Sequence, residues 1–358
     1  MLNFALVGCG RIAKKHIKLL VEEIPEAKLV AICDTQPEKA QEYADRYEID
    51  CYTDYQEMLR RDDIDVVHIC TPSGLHPEMG IEAARAGKHV VVEKPMALTL
   101  TEADELINTC KKEGVKLFVI KQNRLNSPVK VARQALEEGR FGRLFMGNVT
   151  VRWARPQSYY DQDEWHGTWM FDGGVLMNQA SHHVDLLQWM LGEVETVKAY
   201  TATLNHNIET EDTAVAILRF KNGAMGVIEA TTCVFQKNLE GSLIILGDKG
   251  SVKIGGFAVN KMETWNFEDY TTDDEIYCSN STNPPDVYGF GHLEYFQNVI
   301  DVLLGRAKPY TDGFEGRKSL ELILAIHQSA ISGQEVKLPL RKDSDIEELM
   351  LRRRGVRA

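Results

Sequence analysis

The sequence predicts an α/β protein in which a doubly wound parallel sheet precedes an α+β domain with a large, mostly antiparallel open sheet. Two observations support this prediction. Up to about residue 122, near-continuous apolar runs alternate with helical patterns, as expected for parallel strands that helices cover on both faces. Beyond that point, alternating β-branched segments are typical of strands with one face on a core. We therefore predict two domains, residues 1–122 and 123–358.

The first domain is predicted from strand-length apolar runs that are separated by patterns of helical periodicity. Helices between parallel strands imply right-handed crossovers. The last of these helices has a capping box, because Thr99 precedes Glu102 by three residues. The predicted strands are 4–7, 29–33, 66–70, 89–92 and 117–120, and the predicted helices are 12–21, 37–47, 77–86 and 101–112.

The second domain is predicted from helices that accompany the alternating segments. Lys221, Asn222 and Gly223 lie between two of these segments and indicate a hairpin turn. The predicted helices are 129–138, 176–191, 293–304 and 316–332, and the predicted strands are 144–154, 196–203, 213–220, 225–232, 242–246 and 251–254.

Composition and charge exclude several classes of function. The chain has 53 acidic and 41 basic residues and a net charge of −12, which argues against nucleic-acid binding because that requires clustered Lys and Arg. No run approaches the ~20 apolar residues of a membrane helix, and the N-terminus starts with a strand-like segment rather than a signal peptide. The seven cysteines are scattered, without C-x-x-C spacing. We expect a cytoplasmic protein that binds neither nucleic acid nor membranes.

A glycine-rich loop joins the first predicted strand to the first predicted helix. By itself this loop is equally compatible with an ordinary turn. Gly8 permits a tight turn, Gly10 lets a pyrophosphate approach the backbone, and Ala13 is the third small residue of the pattern. Asp34 ends the second strand, where a carboxylate binds ribose hydroxyls, and no basic residue for a 2′-phosphate follows directly. Together these residues predict a Rossmann domain that binds NAD rather than NADP.

Two further loops follow the carboxyl ends of strands, where open parallel sheets bind their ligands. The loop at 71–76 has the alternative of being a plain turn before a helix. The second loop contains Glu93, Lys94 and Pro95, and proline keeps Lys94 extended, although a lone lysine is more often a solvated surface residue. The predicted cofactor-binding residues are Gly8, Gly10, Arg11, Ile12, Asp34, Thr71, Pro72, Ser73, His76, Glu93, Lys94 and Gln122.

A polar stripe is predicted on an apolar helix of the second domain. His182 is four residues after Asn178 and three before Asp185, so the three residues share one face of a continuous helix. His183 lies about 100° away and is expected in the core or at the surface. The stripe indicates a functional histidine at His182, although a buried histidine with satisfied hydrogen bonds gives the same pattern.

These motifs together resemble the family of glucose–fructose oxidoreductase, inositol dehydrogenase and rhizopine catabolism proteins. The resemblance rests on GCGRIA at 8–13, the acid at the second strand, EKP at 93–95, and GG-x-L-x-N-x-x-x-H at 173–182. It implies hydride transfer at a sugar hydroxyl carbon, with Lys94 and His182 as catalytic residues. The family often has Asp four residues before this histidine. Asn178 at that position argues against a carboxylate base there.

A finer resemblance lies in KQNRLN at 121–126 and RPQSYY at 155–160. Both segments are similar to the bacterial branch that oxidises the C3 hydroxyl of UDP-N-acetylglucosaminuronic acid for surface polysaccharides such as O-antigen. Basic residues here, Arg152 among them, suit a diphosphate or carboxylate, although contacts between domains or subunits would also explain them. The predicted substrate-binding residues are Lys94, Lys121, Asn123, Arg124, Arg155, Tyr159, Tyr160, Asn178 and His182.

The predicted function is NAD-dependent oxidation of this UDP-linked uronic acid to its 3-keto form. Lys94 is the preferred base, because the charge of NAD⁺ and partial burial favour its neutral form; His182 orients the hydroxyl or is the base instead. The resemblance also implies a homo-oligomer, dimer or tetramer, and 2-oxoglutarate as a second substrate that regenerates NAD⁺. No metal is predicted, because the histidines lack ligand spacing. The alternatives are a dehydrogenase of a free polyol or sugar, such as inositol, and a non-catalytic NAD-binding sensor or co-repressor.

Overall fold

A computed structural model of the chain describes residues 1–279, 287 and 289–340. They form two compact units, of which the first contains Met1–Ile120 and His292–Arg317. The second contains the described residues of 121–291 and 318–340. Residues 292–317, which the sequence analysis placed with the second domain, belong to the first unit because their side chains complete its core: the Tyr295 hydroxyl donates a hydrogen bond to the Val119 carbonyl at 2.7 Å.

The first unit contains a six-stranded parallel sheet with strand order β3-β2-β1-β4-β5-β6. The strands are β1 Leu2–Val7, β2 Ala27–Cys33, β3 Asp50–Tyr52, β4 Val66–Ile69, β5 His89–Val92 and β6 Leu117–Val119. The helices are α1 Arg11–Lys18, which continues as a π-helical turn over Leu19–Glu23, α2 Pro37–Tyr47, α3 Tyr55–Leu59, α4 His76–Arg85 and α5 Leu100–Lys112.

The predicted order of strands and helices in the first unit is confirmed. All four residues of β4 are buried, as uninterrupted apolar runs predict. The Thr99 hydroxyl caps α5 by accepting the Glu102 amide at 3.2 Å and donating to the Glu102 carboxylate at 2.9 Å. The sequence analysis missed β3 and α3. The edge strand β3 is only three residues long and none of them is fully buried, so it has no apolar run.

The second unit contains an eight-stranded sheet with order β13-β12-β11-β7-β10-β9-β8-β14, in which only β10 and β7 are parallel neighbours. Its strands are β7 Leu144–Arg152, β8 Val194–Ala202, β9 Thr213–Phe220, β10 Met225–Thr231, β11 Glu240–Gly247, β12 Gly250–Gly255, β13 Lys261–Phe267 and β14 Val336–Lys337. The helices from here to the end of the described chain are α6 Ser127–Glu137, α7 Gln157–Tyr160, α8 Gly174–Met177, α9 Ser181–Leu191, α10 Glu275–Ser279, α11 His292–Leu303 and α12 Gly313–Ser332. This confirms the predicted mostly antiparallel sheet.

The predicted hairpin of the second unit is present, whereas one predicted helix is wrong and four short or peripheral elements, β13, β14, α7 and α10, were not predicted. The predicted hairpin at 221–223 joins β9 to β10, and Gly223 has a φ of 89°, which favours glycine. The predicted helix 176–191 is wrong as a single helix, because α8 ends at Met177 and α9 begins at Ser181. The break changes which polar residues share a face, as described below.

The structure locates most of the cysteines and shows the length and hydropathy of the helices. The free cysteines among the described side chains are Cys9, Cys33, Cys51, Cys70, Cys110 and Cys233, and all but Cys51 and Cys233 are buried. The side chain of Cys278 lies outside the described residues. Within the described residues, no helix is both long enough and apolar enough to cross a membrane.

Candidate active site

The glycine loop between β1 and α1 has the geometry of a phosphate-binding turn. Gly8 has a φ of 89°, and a Cβ built there would lie 2.7 Å from the Cys70 carbonyl carbon and the Thr71 nitrogen. Any larger residue is therefore excluded by conformation and by contact. A Cβ at Gly10 would meet nothing within 4 Å, so the backbone that opens α1 is accessible. Arg11 and Ile12 begin this helix, and the N-terminus of a helix suits a phosphate.

Asp34 lies directly after β2 and beside the glycine loop. Its carboxylate accepts the Cys9 amide at 2.7 Å and the Gln36 amide at 2.9 Å. A carboxylate has about four acceptor positions, so two amide bonds fix its orientation and leave capacity for ribose hydroxyls. The residues of this unit therefore fit NAD: the helix N-terminus for the pyrophosphate, and Asp34 for the adenosine ribose.

The loops after β4 and β5 lie on either side of one buried histidine. Thr71 and Pro72 are half-buried and Ser73 is buried. His76 begins α4, and its Nδ1 lies 2.7 Å from the Pro95 carbonyl oxygen while its Nε2 lies 2.8 Å from the Thr71 carbonyl oxygen. Burial lowers the pKa of His76, against the opposing effect of these two backbone hydrogen bonds. His76 therefore lies between the loops that follow β4 and β5 and contacts both.

Glu93 and Lys94 end β5 in different environments. Glu93 is buried, and its Oε1 lies 2.8 Å from His16 Nε2 on α1. Burial alone would raise the pKa of Glu93, but the hydrogen bond from His16 and the charge of Lys94 more than offset it and hold the pKa well below its usual range. Lys94 is half-buried, and its peptide bond to Pro95 is cis. The ionised Glu93 thus lies next to the one residue of the EKP motif with a transferable proton.

Glu211 caps the first turn of the helix that was predicted at 176–191. The Glu211 carbonyl accepts the Val175 amide at 3.0 Å, and its carboxylate accepts the Leu176 amide at 3.1 Å. Gly174, with a φ of 89°, leaves the space in which this carboxylate lies, since a Cβ there would be 2.2 Å from Glu211 Oε2. The short α8 is therefore fixed by a partner from another part of the chain, and a new helix starts beyond it.

The three residues of the predicted stripe accordingly have different environments. Asn178 lies between α8 and α9, half-buried, and donates a hydrogen bond from Nδ2 to the buried carboxylate of Asp172. His182 is on α9 and is buried. Asp185, one turn further along α9, binds Arg124. The prediction that all three share one continuous helix face is wrong, although Asn178 and His182 remain candidates for substrate contact. Asp172 was not predicted as a site residue; its carboxylate binds Asn178, the residue at the position where the family often has aspartate.

His183 is a core residue, in line with one of its two expected places. It is fully buried, edge-on to Trp153 with 5.8 Å between ring centroids. Burial lowers the pKa of His183 to about 4. Its imidazole is therefore neutral at physiological pH and takes no part in the proposed chemistry.

This burial predicts a pH dependence of stability. Because the folded-state pKa is below the ordinary value of 6.5, the unfolded chain binds the proton more tightly, and stability that is present above pH 6.5 is lost as the pH falls towards 4. Between pH 7 and pH 5 the loss from this residue is about 2 kcal/mol. Urea unfolding at both pH values should show a drop that is smaller by that amount in His183→Leu. An equal drop in both proteins would mean that His183 does not hold a depressed pKa.

Two of the predicted substrate cations are instead paired in the core of the second unit. Arg124 makes two hydrogen bonds of 2.8 Å to the carboxylate of Asp185. The Lys121 ammonium donates to the Ser319 hydroxyl at 2.8 Å and lies 3.8 Å from Asp185. Burial would raise the pKa of Asp185, but Arg124 and Lys121 hold it below its usual range. The neighbouring Gln122 and Asn123 are also buried. These contacts favour a structural role for the segment 121–126.

Arg155 differs from the other predicted cations. Arg152 is paired with Glu229 at 2.6 Å and Glu240 at 2.9 Å. The Arg155 guanidinium is half-buried, and its polar partners within the described part of the chain are neutral, the Ala154 carbonyl at 2.8 Å and Asn238 Oδ1 at 3.1 Å. Its charge is therefore available to an anionic ligand.

Aromatic residues and a buried histidine fix the segment around Arg155. The guanidinium carbon lies 5.3 Å from the centroid of the half-buried Tyr159 ring. Tyr160 is buried, with its hydroxyl 2.8 Å from that of Thr232. His206 Nε2 lies 2.7 Å from the Arg155 carbonyl, and its Nδ1 lies 3.0 Å from Asp212. Of the two predicted tyrosines, Tyr160 is thus held in the core, and Tyr159 stays a candidate for ligand contact.

Three groups of described residues bring possible metal ligands close together. In each of them ligand atoms already bind one another: His16 binds Glu93, His68 Nε2 lies 3.3 Å from Cys70 Sγ, and His206 binds Asp212. Hydrogen bonds between the side chains therefore explain why the residues of each group lie close together. The expectation that no metal takes part stays a prediction. The three groups are His16–His68–Cys70, His16–Glu93–His292 and His206–Asp212–Cys233.

A parallel-sheet unit with a glycine loop, a carboxylate after β2 and a lysine after β5 is the arrangement expected of a dinucleotide-dependent oxidoreductase. Residues 2–121 match the family model described as oxidoreductase family, NAD-binding Rossmann fold, and residues 133–338 match oxidoreductase family, C-terminal alpha/beta domain. The chain therefore belongs to the Gfo/Idh/MocA oxidoreductase family, as the motif resemblance predicts, and its cofactor is NAD.

Solved structures and curated relatives agree with this family. The chain is 48% identical to the WlbA dehydrogenase of Bordetella pertussis, crystallised with NADH and UDP-GlcNAcA, over 95% of this chain and 98% of that one, with a TM-score of 0.92. It is 47% identical to WlbA of Chromobacterium violaceum, crystallised with the same ligands, over 95% and 96%, with a TM-score of 0.89. It is 28% identical to myo-inositol 2-dehydrogenase of Thermotoga maritima over 94% of this chain and 98% of the relative.

Proposed function

We propose that the chain oxidises the C3 hydroxyl of UDP-linked N-acetylglucosaminuronic acid to a ketone. The observation that carries this proposal is the 48% identity, over almost the full length of both chains, to a dehydrogenase crystallised with NADH and UDP-GlcNAcA. Arg155 supports it locally, because a guanidinium with neutral protein partners suits a diphosphate or carboxylate.

In the proposed reaction, the C3–H bond breaks with its electron pair, the hydroxyl proton leaves, and the C=O bond forms. Bound NAD⁺ supplies the acceptor for that electron pair and hydrogen. Lys94 Nζ accepts the hydroxyl proton, as a general base must within hydrogen-bond reach of it. His182 donates or accepts a hydrogen bond at the same oxygen. Asn178, whose amide nitrogen faces Asp172, directs its carbonyl oxygen away from that carboxylate and orients the sugar.

A dehydrogenase of a free polyol or sugar is the second candidate, favoured by the full-length match to myo-inositol 2-dehydrogenase. A non-catalytic sensor is disfavoured because Lys94 and His182 are both present. We also propose a homo-oligomer: four exposed apolar side chains, Tyr200, Val215, Ile217 and Met225, occupy one face of β8–β10. Recycling of NADH by 2-oxoglutarate, a cytoplasmic location and a role in polysaccharide synthesis stay predictions.

Arg155 gives the direct test of the substrate class. UDP-N-acetylglucosaminuronic acid is expected to raise the unfolding temperature of the NADH-bound protein, and myo-inositol is not. Arg155→Gln should raise KM for the UDP-sugar about 10- to 100-fold, the contribution of one hydrogen bond to a charged group, with NAD affinity retained. The exposed Arg85 on α4 offers a charge-matched control, Arg85→Gln. Oxidation of inositol without binding of the UDP-sugar would replace this proposal by the second candidate.

A further inference from the structure

The two neighbours of Lys94 in the chain are each held by a buried histidine. Glu93 Oε1 lies 2.8 Å from His16 Nε2, while its Oε2 accepts the Lys94 amide at 3.1 Å. On the other side, the Pro95 carbonyl lies 2.7 Å from His76 Nδ1. The backbone of Lys94 therefore has a hydrogen-bonded support on both sides, and neither histidine needs to contact substrate.

Both histidines come from helices that directly follow cofactor loops. His16 is on α1, which starts after the glycine loop. The face of α1 that carries Ala13, His16 and Ile17 is buried. His76 is the first residue of α4, and its Nε2 lies 2.8 Å from the Thr71 carbonyl. The glycine loop and the Thr71 loop also touch, because a Cβ at Gly8 would lie 2.7 Å from Thr71 N. Three loops are thus connected through two imidazole rings and one glycine contact.

The side chains that make these contacts are buried, so their polar atoms cannot bind water instead. His16 and His76 are at most 1% exposed, and Glu93 is 7% exposed. An ionised carboxylate in such a position is strongly destabilising unless it is hydrogen-bonded, and it can only accept. His16 must therefore present an N–H from Nε2. The rings of His68 and His292 pack edge-on against His16 with centroid distances of 4.4 and 5.1 Å, which restricts rotation of the imidazole.

From this arrangement we propose that His16 and His76 are positioning residues that fix Lys94 and link its placement to the glycine and Thr71 loops. The inference rests on the proposed role of Lys94 as the base. His76 faces two carbonyl oxygens, which only accept, so the neutral ring donates to one of them at a time and the imidazolium donates to both. The Pro95 contact positions Lys94, and the Thr71 contact orders the cofactor loop. His16 serves Lys94 through the carboxylate of Glu93.

Matched amide variants separate these contacts. Asparagine places its amide nitrogen near Nδ1 of histidine, and glutamine places its amide nitrogen near Nε2. His76→Asn therefore keeps a donor for Pro95, and His76→Gln keeps a donor for Thr71. His16→Gln keeps the donor for Glu93, and His16→Asn removes it. Both members of each pair carry a neutral amide. The pair at position 76 differs in which carbonyl oxygen receives the donor, and the pair at position 16 differs in whether Glu93 receives one.

We expect a double dissociation at position 76. His76→Gln should lower kcat at least tenfold more than His76→Asn, and His76→Asn should raise the dissociation constant of NAD at least tenfold more than His76→Gln. His16→Asn should lower kcat at least tenfold more than His16→Gln. Hydrogen–deuterium exchange of the Lys94 amide in the protein without cofactor should rise in His76→Gln and His16→Asn, and much less in their partners.

The exchange measurement separates this inference from the proposed function. If the exchange pattern is as expected but Lys94→Met remains active, the histidines position the loop and the role of Lys94 as the base fails. If both members of each pair lose kcat, NAD affinity and amide protection equally, the histidines are merely structural and the inference is overturned. The two variants at position 16 and the two at position 76 each test the inference independently, so the test remains if one variant folds poorly.

Discussion

Lys94→Met is expected to slow the oxidation step at least ~10³-fold, within the range by which a positioned general base contributes, while NAD affinity stays within about threefold. Methionine matches the length and apolar stem of lysine, so the buried Glu93 and its bond to His16 are retained. What is lost is the amine that accepts the proton of the substrate hydroxyl in the proposed reaction. Single-turnover formation of NADH with saturating UDP-N-acetylglucosaminuronic acid measures this step directly.

Lys94→Arg is the matched control, because arginine keeps the positive charge but does not lose its proton in proteins. If Lys94 is the base, both variants are inactive; if it supplies only charge, arginine restores much of the rate. His182→Asn should lower the rate less than Lys94→Met when the imidazole only orients the hydroxyl. A nearly normal Lys94→Met enzyme beside an inactive His182→Asn enzyme would make the histidine the base.

The fold was predictable where local sequence decides the structure. The parallel strands are continuous apolar runs because both faces are covered, and β1, β2, β4, β5 and β6 appear where those runs lie. The capping box at Thr99 and the turn at Gly223 are local chemistry as well. Strand β3 was missed because it is a three-residue edge strand with polar ends, so it shows neither an apolar run nor a capping or turn motif.

The candidate site was only partly predictable, because its second unit is shaped by distant partners. The first turn of α8 is capped by Glu211, 35 residues from the amide that it binds. Asp172 was within the quoted motif, but its bond to Asn178 could not be derived from periodicity. Similarly, the charges of Lys121 and Arg124 were visible, whereas their anion, Asp185, is 61 residues from Arg124. The number of cations in one segment of the sequence does not show which of them are paired with an anion in the folded protein.

The buried cluster of Asp185, Arg124 and Lys121 predicts the largest effect on stability. Asp185 is 2% exposed and Arg124 is 6% exposed, so neither charge can be solvated if its partner is removed. Asp185→Asn keeps the side-chain volume but leaves two buried cations without their anion. Breaking a buried pair in this way costs about 3–5 kcal/mol, and we expect the free energy of unfolding in urea to fall by that amount.

Two further variants make this prediction decisive. Glu137→Gln removes the acid of an exposed i,i+4 pair with Arg133 and should cost only about 0.3–0.5 kcal/mol, so the difference isolates burial. Arg124→Met/Asp185→Leu removes both charges of the closest pair and should recover part of the loss, because an apolar pair of similar volume needs no desolvation. If Asp185→Asn proved as stable as the wild type and instead raised KM for the UDP-sugar, Arg124 would be a substrate ligand, and the structural role assigned to this cluster would be wrong.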